Sequence, residues 1–544
     1  MKLTFIGADH EVTGSMHLLE TSDTKILIDC GMEQGKNIYE NAPLPVSFKE
    51  IDYLLLTHAH IDHSGMIPYA YLQGFAGTVL TTNASMDLDS IMLLDSAHIQ
   101  EQEAEFANRK GMRAGRDEVK PAYTVEDAQN CLKLFKAVPY HEMIELSDTV
   151  SVRFVDAGHL LGSASIEIWL KDEGVEKKIV FSGDIGNFNK PLIRDPEYIT
   201  EADYVVMEST YGNRLHEQGL DHLEDLRRIV QEGLDRGGNI VFPAFAVGRT
   251  QELLFLIRQL KEQNMIQGHD HFPVFVDSPL AVEATKVFHE NITECFDDET
   301  KALVEKGINP IMFDDLTLSI TTDDSTAINF NPTPKVILAA AGMCNAGRIR
   351  HHLKHNLWRP ECSVVFAGYQ AEGTLGRSLQ DGIERVKLFG EEIAVRAHIE
   401  TMRDMSSHAD KNGLISWASS FGDLNGRGRI FLVHGDDEAM KSLSDKLRET
   451  TGNKVDCPYS GSVFDLTANE WITVAEPVLF RKETAVHIRN DALTGDLFDA
   501  MTELKAIVER TAEGANADKK KLAEAIRKLA AKYGFQDELN TKKE

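Results

Sequence analysis

The stretch "LLLTHAHIDHSGMIPY", from Leu54 to Tyr69, sets three histidines and an aspartate directly after an apolar run. A strand that stops in such residues delivers them at one edge of a sheet, where α/β folds collect their sites. His58 and His60, at i and i+2, can converge on one ion as the backbone leaves the strand and turns. Asp62 and His63, further round the turn, face a second ion beside the first. Imidazole nitrogen and carboxylate oxygen suit zinc or a similar transition metal. A single histidine near a strand end reads as ordinary polar surface, whereas the HxHxDH pattern reads as a ligand set.

The arrangement recurs along the chain. "SVRFVDAGHLLGS" is a short apolar strand ending at His159, "KKIVFSGDIGN" does the same at Asp184, "DYVVMESTYG" at Glu208 and "GRIFLVHGDD" at His434, while "SSHAD" adds His408 on a loop. A division of labour follows. His58, His60 and His159 hold one zinc, and Asp62, His63 and His434 hold the other. Asp184 is anionic and suits bridging two cations, whose repulsion calls for a shared negative ligand. Two ions about 3.5–4 Å apart lower the pKa of a bridging water and neutralise phosphate charge. Glu208 and His408 then read as supporting or proton-transfer groups, His408 being placed to protonate a leaving oxygen; the alternative for His408 is a hydrogen-bonded structural histidine.

Composition bounds these readings. The 544 residues are 42% hydrophobic and 26% charged, a soluble globular profile long enough for two or more domains. No apolar run reaches the length of a membrane span, and the N-terminal "MKLTFIGADHEVTGS" carries no export signal. Six scattered cysteines (Cys30, Cys131, Cys295, Cys344, Cys362 and Cys457) form no CxxC pair, which suits reduced thiols in a cytoplasm. The formal net charge of −29 repels polyphosphates at long range, so a nucleic-acid ligand needs a local basic groove or bound cations.

"THAHIDHSG", with "GH", "SGD" and the early "ILIDCG", resembles the metallo-β-lactamase superfamily. "MEST", "SSHAD" and "LVHGDD" resemble the further motifs of its β-CASP branch, which processes nucleic acids. On that resemblance Asp29 is the structural aspartate, and His58, His60, Asp62, His63, His159 and Asp184 are the metal ligands. Glu208 falls on the acidic motif residue, His408 on the general acid and His434 on the last metal-binding histidine. "GADHEVTGSMHLLE", "FPAFAVGRTQELL", "AAAGMCNAGRIRHHL" and "FAGYQAEGTLGRSL" look like the ribonucleases related to the endonuclease subunit of the mRNA 3′-end cleavage factor. The likeness spans roughly residues 1–465. Histidine at the last motif implies RNA, since DNA-repair members usually carry valine there. Two spellings depart from the family. "HGDD" replaces the usual HGE, implying a shorter partner for His434, and "SSHAD" and "HAHIDH" sit closer to the cleavage-factor type than to RNase J.

The resemblance implies an α/β fold: a metallo-β-lactamase αββα sandwich from 1–211 and 395–470, an inserted β-CASP parallel-sheet domain at 212–394, and a helical extension at 471–544. Alternating strands and helices such as "GGNIVFPAF" before "GRTQELLFLIRQL" support the insertion independently. Arg249 and Arg348 open helices after Gly-rich turns, a phosphate-binding arrangement, with plain tight turns as the alternative; Ser407, beside His408, joins them as an RNA phosphate candidate. His98 lies in a long polar helix and reads as solvated. "DLFDAMTELKAIVER" and "DKKKLAEAIRKLAAKYG" read as amphipathic helices that touch RNA, form a dimer or pack on their own domain.

The expected activity is that of a zinc-dependent ribonuclease with two Zn2+ per chain, manganese being the other candidate. Metal-activated hydroxide attacks phosphorus and His408 acts as general acid, in endonucleolytic or 5′-exonucleolytic mode, on single-stranded RNA and without a membrane. A homodimer fits the family. The competing classes are a dimetal hydrolase of DNA or of a small ester, thioester or lactam, and a non-catalytic RNA-binding scaffold. The long insertion argues against a small substrate, and the filled ligand positions argue against a scaffold.

Overall fold

Leu55 faces one hydrophobic core while its neighbours Leu54 and Leu56 face another. Burial on both faces is what turns "YLLL" into the interior of a layered fold rather than its skin. A computed structural model describes residues 1–480 apart from Lys36, 113–116, Gln218 and Arg427, together with 507–508, 511 and 516–532.

Two mixed sheets stack face to face. The first has eight strands in the order Glu470–Thr473, Val463–Asp465, Lys2–Gly7, Met16–Glu20, Lys25–Ile28, Tyr53–Leu55, Thr78–Thr82 and Phe135–Val138. The second has seven: Lys454–Asp456, Arg429–Val433, Tyr204–Glu208, Val175–Phe181, Ala164–Asp172, Val150–Asp156 and Ile144–Glu145. Leu3, Phe5, Ile26 and Ile28 of one meet Phe154, Ile166, Phe181 and Val206 of the other in a single core. Helices cover both outer faces. Leu414 and Trp417 of Lys411–Ser419 and Leu443 and Leu447 of Asp437–Thr451 pack on the second sheet. Ile67, Leu93, Ala97 and Ala128 pack on the first. The layers are therefore α, β, β, α.

The third sheet has six strands, all parallel: Leu316–Ser319, Val274–Asp277, Val336–Ala339, Ile240–Pro243, Ser363–Phe366 and His398–Thr401. Its four inner strands read as short, largely apolar and buried runs because helices cover both faces. A hairpin of Arg385–Leu388 with Glu391–Ala394 lies beside it in sequence. The expected return to the sandwich at 395 precedes His398–Thr401, which hydrogen-bonds in parallel to Ser363–Phe366 and closes that edge of the inserted sheet.

Met1–Phe480 forms one compact unit and Arg481–Glu544 another. Of the two amphipathic helices expected in the second unit, the later one is seen as Asn516–Lys532, with Leu522 and Ile526 half-buried and Lys519, Lys520, Lys521, Arg527 and Lys528 exposed. "DLFDAMTELKAIVER" lies for the most part outside the described residues. The long polar helix runs from Asn83 to Met112, and His98 on it is exposed against Gln102, away from the site.

Candidate metal centre and nucleic-acid cleft

Five strand ends build the site. After Tyr53–Leu55 the chain turns into the single-turn helix Ile61–Ser64, which carries Asp62 and His63. His159 follows Val150–Asp156, Asp184 follows Val175–Phe181, Glu208 ends its own strand, and His434 follows Arg429–Val433. Gly183 makes the turn before Asp184 at φ +55, and a Cβ there would stand 2.8 Å from the Thr57 Cβ, so a larger residue meets both strain and a clash. His434 itself adopts φ 50, which turns its ring into the site at the sheet edge.

Two donor sets converge on the two oxygens of Asp184. His58 Nε2 and His159 Nε2 each lie 3.5 Å from Oδ2, and His60 Nδ1 lies 3.0 Å from His58 Nε2 and 3.3 Å from His159 Nε2. Across the carboxylate, His63 Nε2 is 3.4 Å and His434 Nδ1 is 3.5 Å from Oδ1, with Asp62 Oδ2 3.5 Å from His434 Nε2. Ligands at 2.0–2.1 Å around a tetrahedral ion stand about 3.3–3.4 Å from each other, which is the spacing found. His63 Nε2, Asp184 Oδ1 and His434 Nε2 are buried and have no hydrogen-bond partner among the described residues. Buried polar atoms that face one another unpaired are what a cation satisfies. The residues fit two divalent ions sharing one carboxylate.

Electrostatics favours the same state. Burial pushes His58 and His159 well below the ordinary histidine range and lowers His60, leaving the neutral imidazoles that ligate metal. Burial opposes the proton on His63, but Asp184 and Asp29 outweigh it and raise that pKa, so a cation beside Asp184 displaces the proton. Asp29 accepts from His63 Nδ1 at 2.7 Å and is itself held by the Thr57 amide at 2.8 Å and the Thr57 hydroxyl at 3.0 Å. That chain fixes the tautomer and aims Nε2 inward.

His408 stands beside this centre. Its Nδ1 lies 3.1 Å from Glu208 Oε1, and its Nε2 is 3.9 Å from Asp184 Oδ2. Burial works against the imidazolium, yet Glu208 and Asp184 prevail and raise the pKa to about 9. Glu208 Oε1 also accepts from the Ile185 amide at 2.6 Å. The loop bearing His408 is pinned through Ala409 N to Ile185 O and Asn187 N to Ser407 O.

A cavity of about 520 Å³ opens over the centre. Its floor includes His60, Asp62, His159, Asp184, His408 and His434; its opposite wall comes from Phe245–Arg249, Met343, Gly368 and Tyr369, after the C-terminal ends of parallel strands of the inserted sheet. Ser407 and Arg249 line it. Arg249 does open the helix Arg249–Glu262, but its guanidinium is paired to Glu252 at 2.5 Å, and Lys190 holds the other oxygen of that carboxylate at 2.7 Å. Lys190 and Glu252 escaped the sequence reading because they meet only across the cleft, Glu252 standing within "FPAFAVGRTQELL" with nothing local to mark its partner.

Arg348 is placed elsewhere. It bonds Asp277 Oδ1 at 2.7 Å and the Ile320 carbonyl at 2.6 Å, within a network that also holds Ser319, Ser325 and His352, and it does not line the cavity. Its charge serves the inserted sheet. The shorter partner expected for His434 in "HGDD" is also not found. Asp436 caps the helix Asp437–Thr451 by accepting from Ala439 N at 2.8 Å, and His434 Nδ1 is met instead by the Thr210 hydroxyl at 3.0 Å. The second acidic residue, Asp437, receives Tyr39 and His10.

A buried His/Asp constellation at the edge of an αββα sandwich, faced by an inserted parallel sheet, defines a metal-dependent hydrolase. Comparison with known proteins agrees at each part. Residues 18–190 match the metallo-β-lactamase superfamily domain, 250–379 the β-CASP domain, and 392–458 the Zn-dependent metallo-hydrolase RNA specificity domain. The chain is 35% identical to Ribonuclease TTHA0252 of Thermus thermophilus over 84% of its own length and 97% of that protein. It is 29% identical to an RNase J-like protein of Methanocaldococcus jannaschii, covering 81% of this chain and 94% of the relative. A transcription termination factor FttA of Methanosarcina mazei is also 29% identical, over 82% of this chain and 68% of that protein. The chain belongs to the β-CASP ribonuclease family of the metallo-β-lactamase superfamily.

Proposed function

We propose that this protein is a zinc-dependent ribonuclease that hydrolyses phosphodiester bonds of single-stranded RNA in the cleft between sandwich and insertion. The observation that carries the reading is the convergence of His58, His60 and His159 on one oxygen of Asp184, and of His63 and His434, with Asp62 beside them, on the other. His58, His60 and His159 would hold one Zn2+ and Asp62, His63 and His434 a second, with Asp184 shared between the two sets. When bound, such paired ions acidify water to a nucleophile and neutralise charge on the phosphate. His408, kept protonated by Glu208, gives its Nε2 proton to the departing oxygen. Asp29 orients His63, and Thr210 orients His434. Lys190 and Arg249, sharing only Glu252, leave one net positive charge in the cavity wall for an RNA phosphate, and Ser407 adds a hydroxyl.

The domain division we propose is 1–211 and a second sandwich segment beginning between Thr401 and Ser406, with the insertion between them. The six unpaired cysteines support a cytoplasmic location, and among the described residues no helix is long and apolar enough to cross a membrane. Light scattering on the purified protein tests the homodimer.

The decisive experiment is a time course on labelled RNAs with 5′-hydroxyl, 5′-monophosphate or 5′-triphosphate ends. It uses the metal-loaded protein and Asp184→Asn, with ion content read by mass spectrometry. Internal fragments mark endonucleolysis, and single nucleotides released from the 5′ end mark exonucleolysis. Two zinc ions per chain and cleavage lost with Asp184→Asn are expected. RNA left intact by the fully loaded protein overturns the proposal.

A further inference from the structure

Beside the metal cavity lies a second one of about 250 Å³, and the two share Tyr211, Gly368, Tyr369 and Ser406 in their walls. The smaller cavity has about eight water molecules' share of liquid volume, room for one planar base. Three arginines line it. Arg377 is held by Asp381 at 2.9 Å and Arg403 by Glu217 at 2.8 Å. Among the described residues Arg214 has no carboxylate partner. Its guanidinium lies instead over the rings of both Tyr211 and Tyr369, 5.7 Å from each centroid. In a chain of net charge −29, an exposed, uncompensated guanidinium between two aromatic rings stands out as a place for an anion attached to something flat.

The arrangement is built in advance. Arg214 N donates to Tyr211 O at 3.0 Å, so both side chains spring from one turn, and Lys411 N anchors the turn through Arg214 O at 2.9 Å. Gly212 lets it approach the helix Asp437–Thr451 so closely that a Cβ there would stand 2.4 Å from the Ala439 carbonyl. Tyr369 enters from the inserted domain and is half exposed. Tyr211 also meets His408 edge-on at 5.9 Å.

We propose that Tyr211, Arg214 and Tyr369 form a subsite for one nucleotide of single-stranded RNA on the leaving-oxygen side of the scissile bond. The base stacks on tyrosine and its phosphate meets Arg214. The proposal rests on the ribonuclease reading and extends it. Stacking of this kind accepts any base, so the subsite sets where the strand lies rather than which sequence is cut.

The test walks a single abasic residue along a short labelled RNA and measures KM and kcat for the unaltered protein, Tyr369→Ala, Tyr369→Trp, Arg214→Gln and Arg214→Lys. With the unaltered protein, one position on the leaving-oxygen side raises KM about tenfold when its base is missing. Tyr369→Ala raises KM similarly on intact RNA and removes the sensitivity at that position, while Tyr369→Trp keeps it. Arg214→Gln flattens the salt dependence by about one phosphate contact, and Arg214→Lys restores the slope. Penalties of Tyr369→Ala and the abasic residue that simply multiply overturn the subsite. So does an unchanged KM in both Tyr369→Ala and Arg214→Gln combined with an abasic scan that shows no sensitive position. RNA that the unaltered protein does not cut overturns the ribonuclease reading itself.

Discussion

His408 and Asp29 act through what they touch, and each yields a measurable expectation. On the proposed mechanism, replacing His408 with alanine removes the proton donor, so kcat on RNA falls about 10²–10⁴-fold while KM changes little. Glu208 is the leading cause that raises the His408 pKa, to about 9 without cations. A raised imidazolium pKa keeps the acid form through neutral pH and loses it as pH climbs through that value. Two cations repel the imidazolium, so the basic limb of the loaded enzyme lies lower. Glu208→Gln moves that limb lower still, which a pH–rate profile of both proteins reads directly. Asp29→Asn exchanges the carboxylate that fixes His63 for an amide, and zinc affinity drops about 10–100-fold in a competition titration. Asp29 and Glu208 were legible because each ends an apolar run, and His408 because its loop carries the motif "SSHAD". Thr57 and Thr210 were not, since a hydroxyl that orients a ligand carries no spacing of its own.

At the scale of elements, the helix that follows His434 tests a correction. Asp436 is its N-cap, so Asp436→Ala destabilises the fold by about 0.5–2 kcal/mol in urea titration and leaves bound zinc unchanged. A loss of zinc without loss of stability would restore the metal-supporting role first expected of "HGDD". Arg348 is parallel. Asp277 and His352 are fully buried, so Arg348→Ala lowers stability and leaves RNA affinity intact. Sequence marked Arg348 as a helix-opening cation, and the helix Ile349–Asn356 does begin there. What it did not mark is the partner: Asp277 is 71 residues away, and such pairing leaves no local trace. Gly-rich turns that shape a phosphate site and turns that merely connect strand to helix look alike until the opposing charge is seen.

For the whole molecule, the αββα sandwich and its insertion were readable from where ligand-bearing strands stop and resume. The pairing of His398–Thr401 with the inserted sheet was not. "HIET" is neither apolar nor regularly alternating, and only its hydrogen bonds to Ser363–Phe366 assign it to the inserted sheet. The acidic charge has its own consequence. On the proposed reading an acidic surface confines RNA contact to the cleft, so the log–log dependence of KM on salt is shallow, amounting to a few phosphate contacts at about 0.7 each. On the proposed dimetal reading the unpaired donor atoms around Asp184 are satisfied by cations, so a chelator lowers the thermal midpoint and zinc restores it; at free zinc a hundredfold above Kd each ion contributes about 2.7 kcal/mol.

The parallel pairing of Tyr204–Glu208 with Arg429–Val433 joins segments separated by the whole inserted domain. During translation the first histidine cluster leaves the ribosome early, and its last companion emerges only after the inserted sheet has been synthesised. On the ribonuclease reading a growing polypeptide thus spares the message it is being read from until residue 434 is out, because aborted products ending short of that point lack His434 and the strand that carries it.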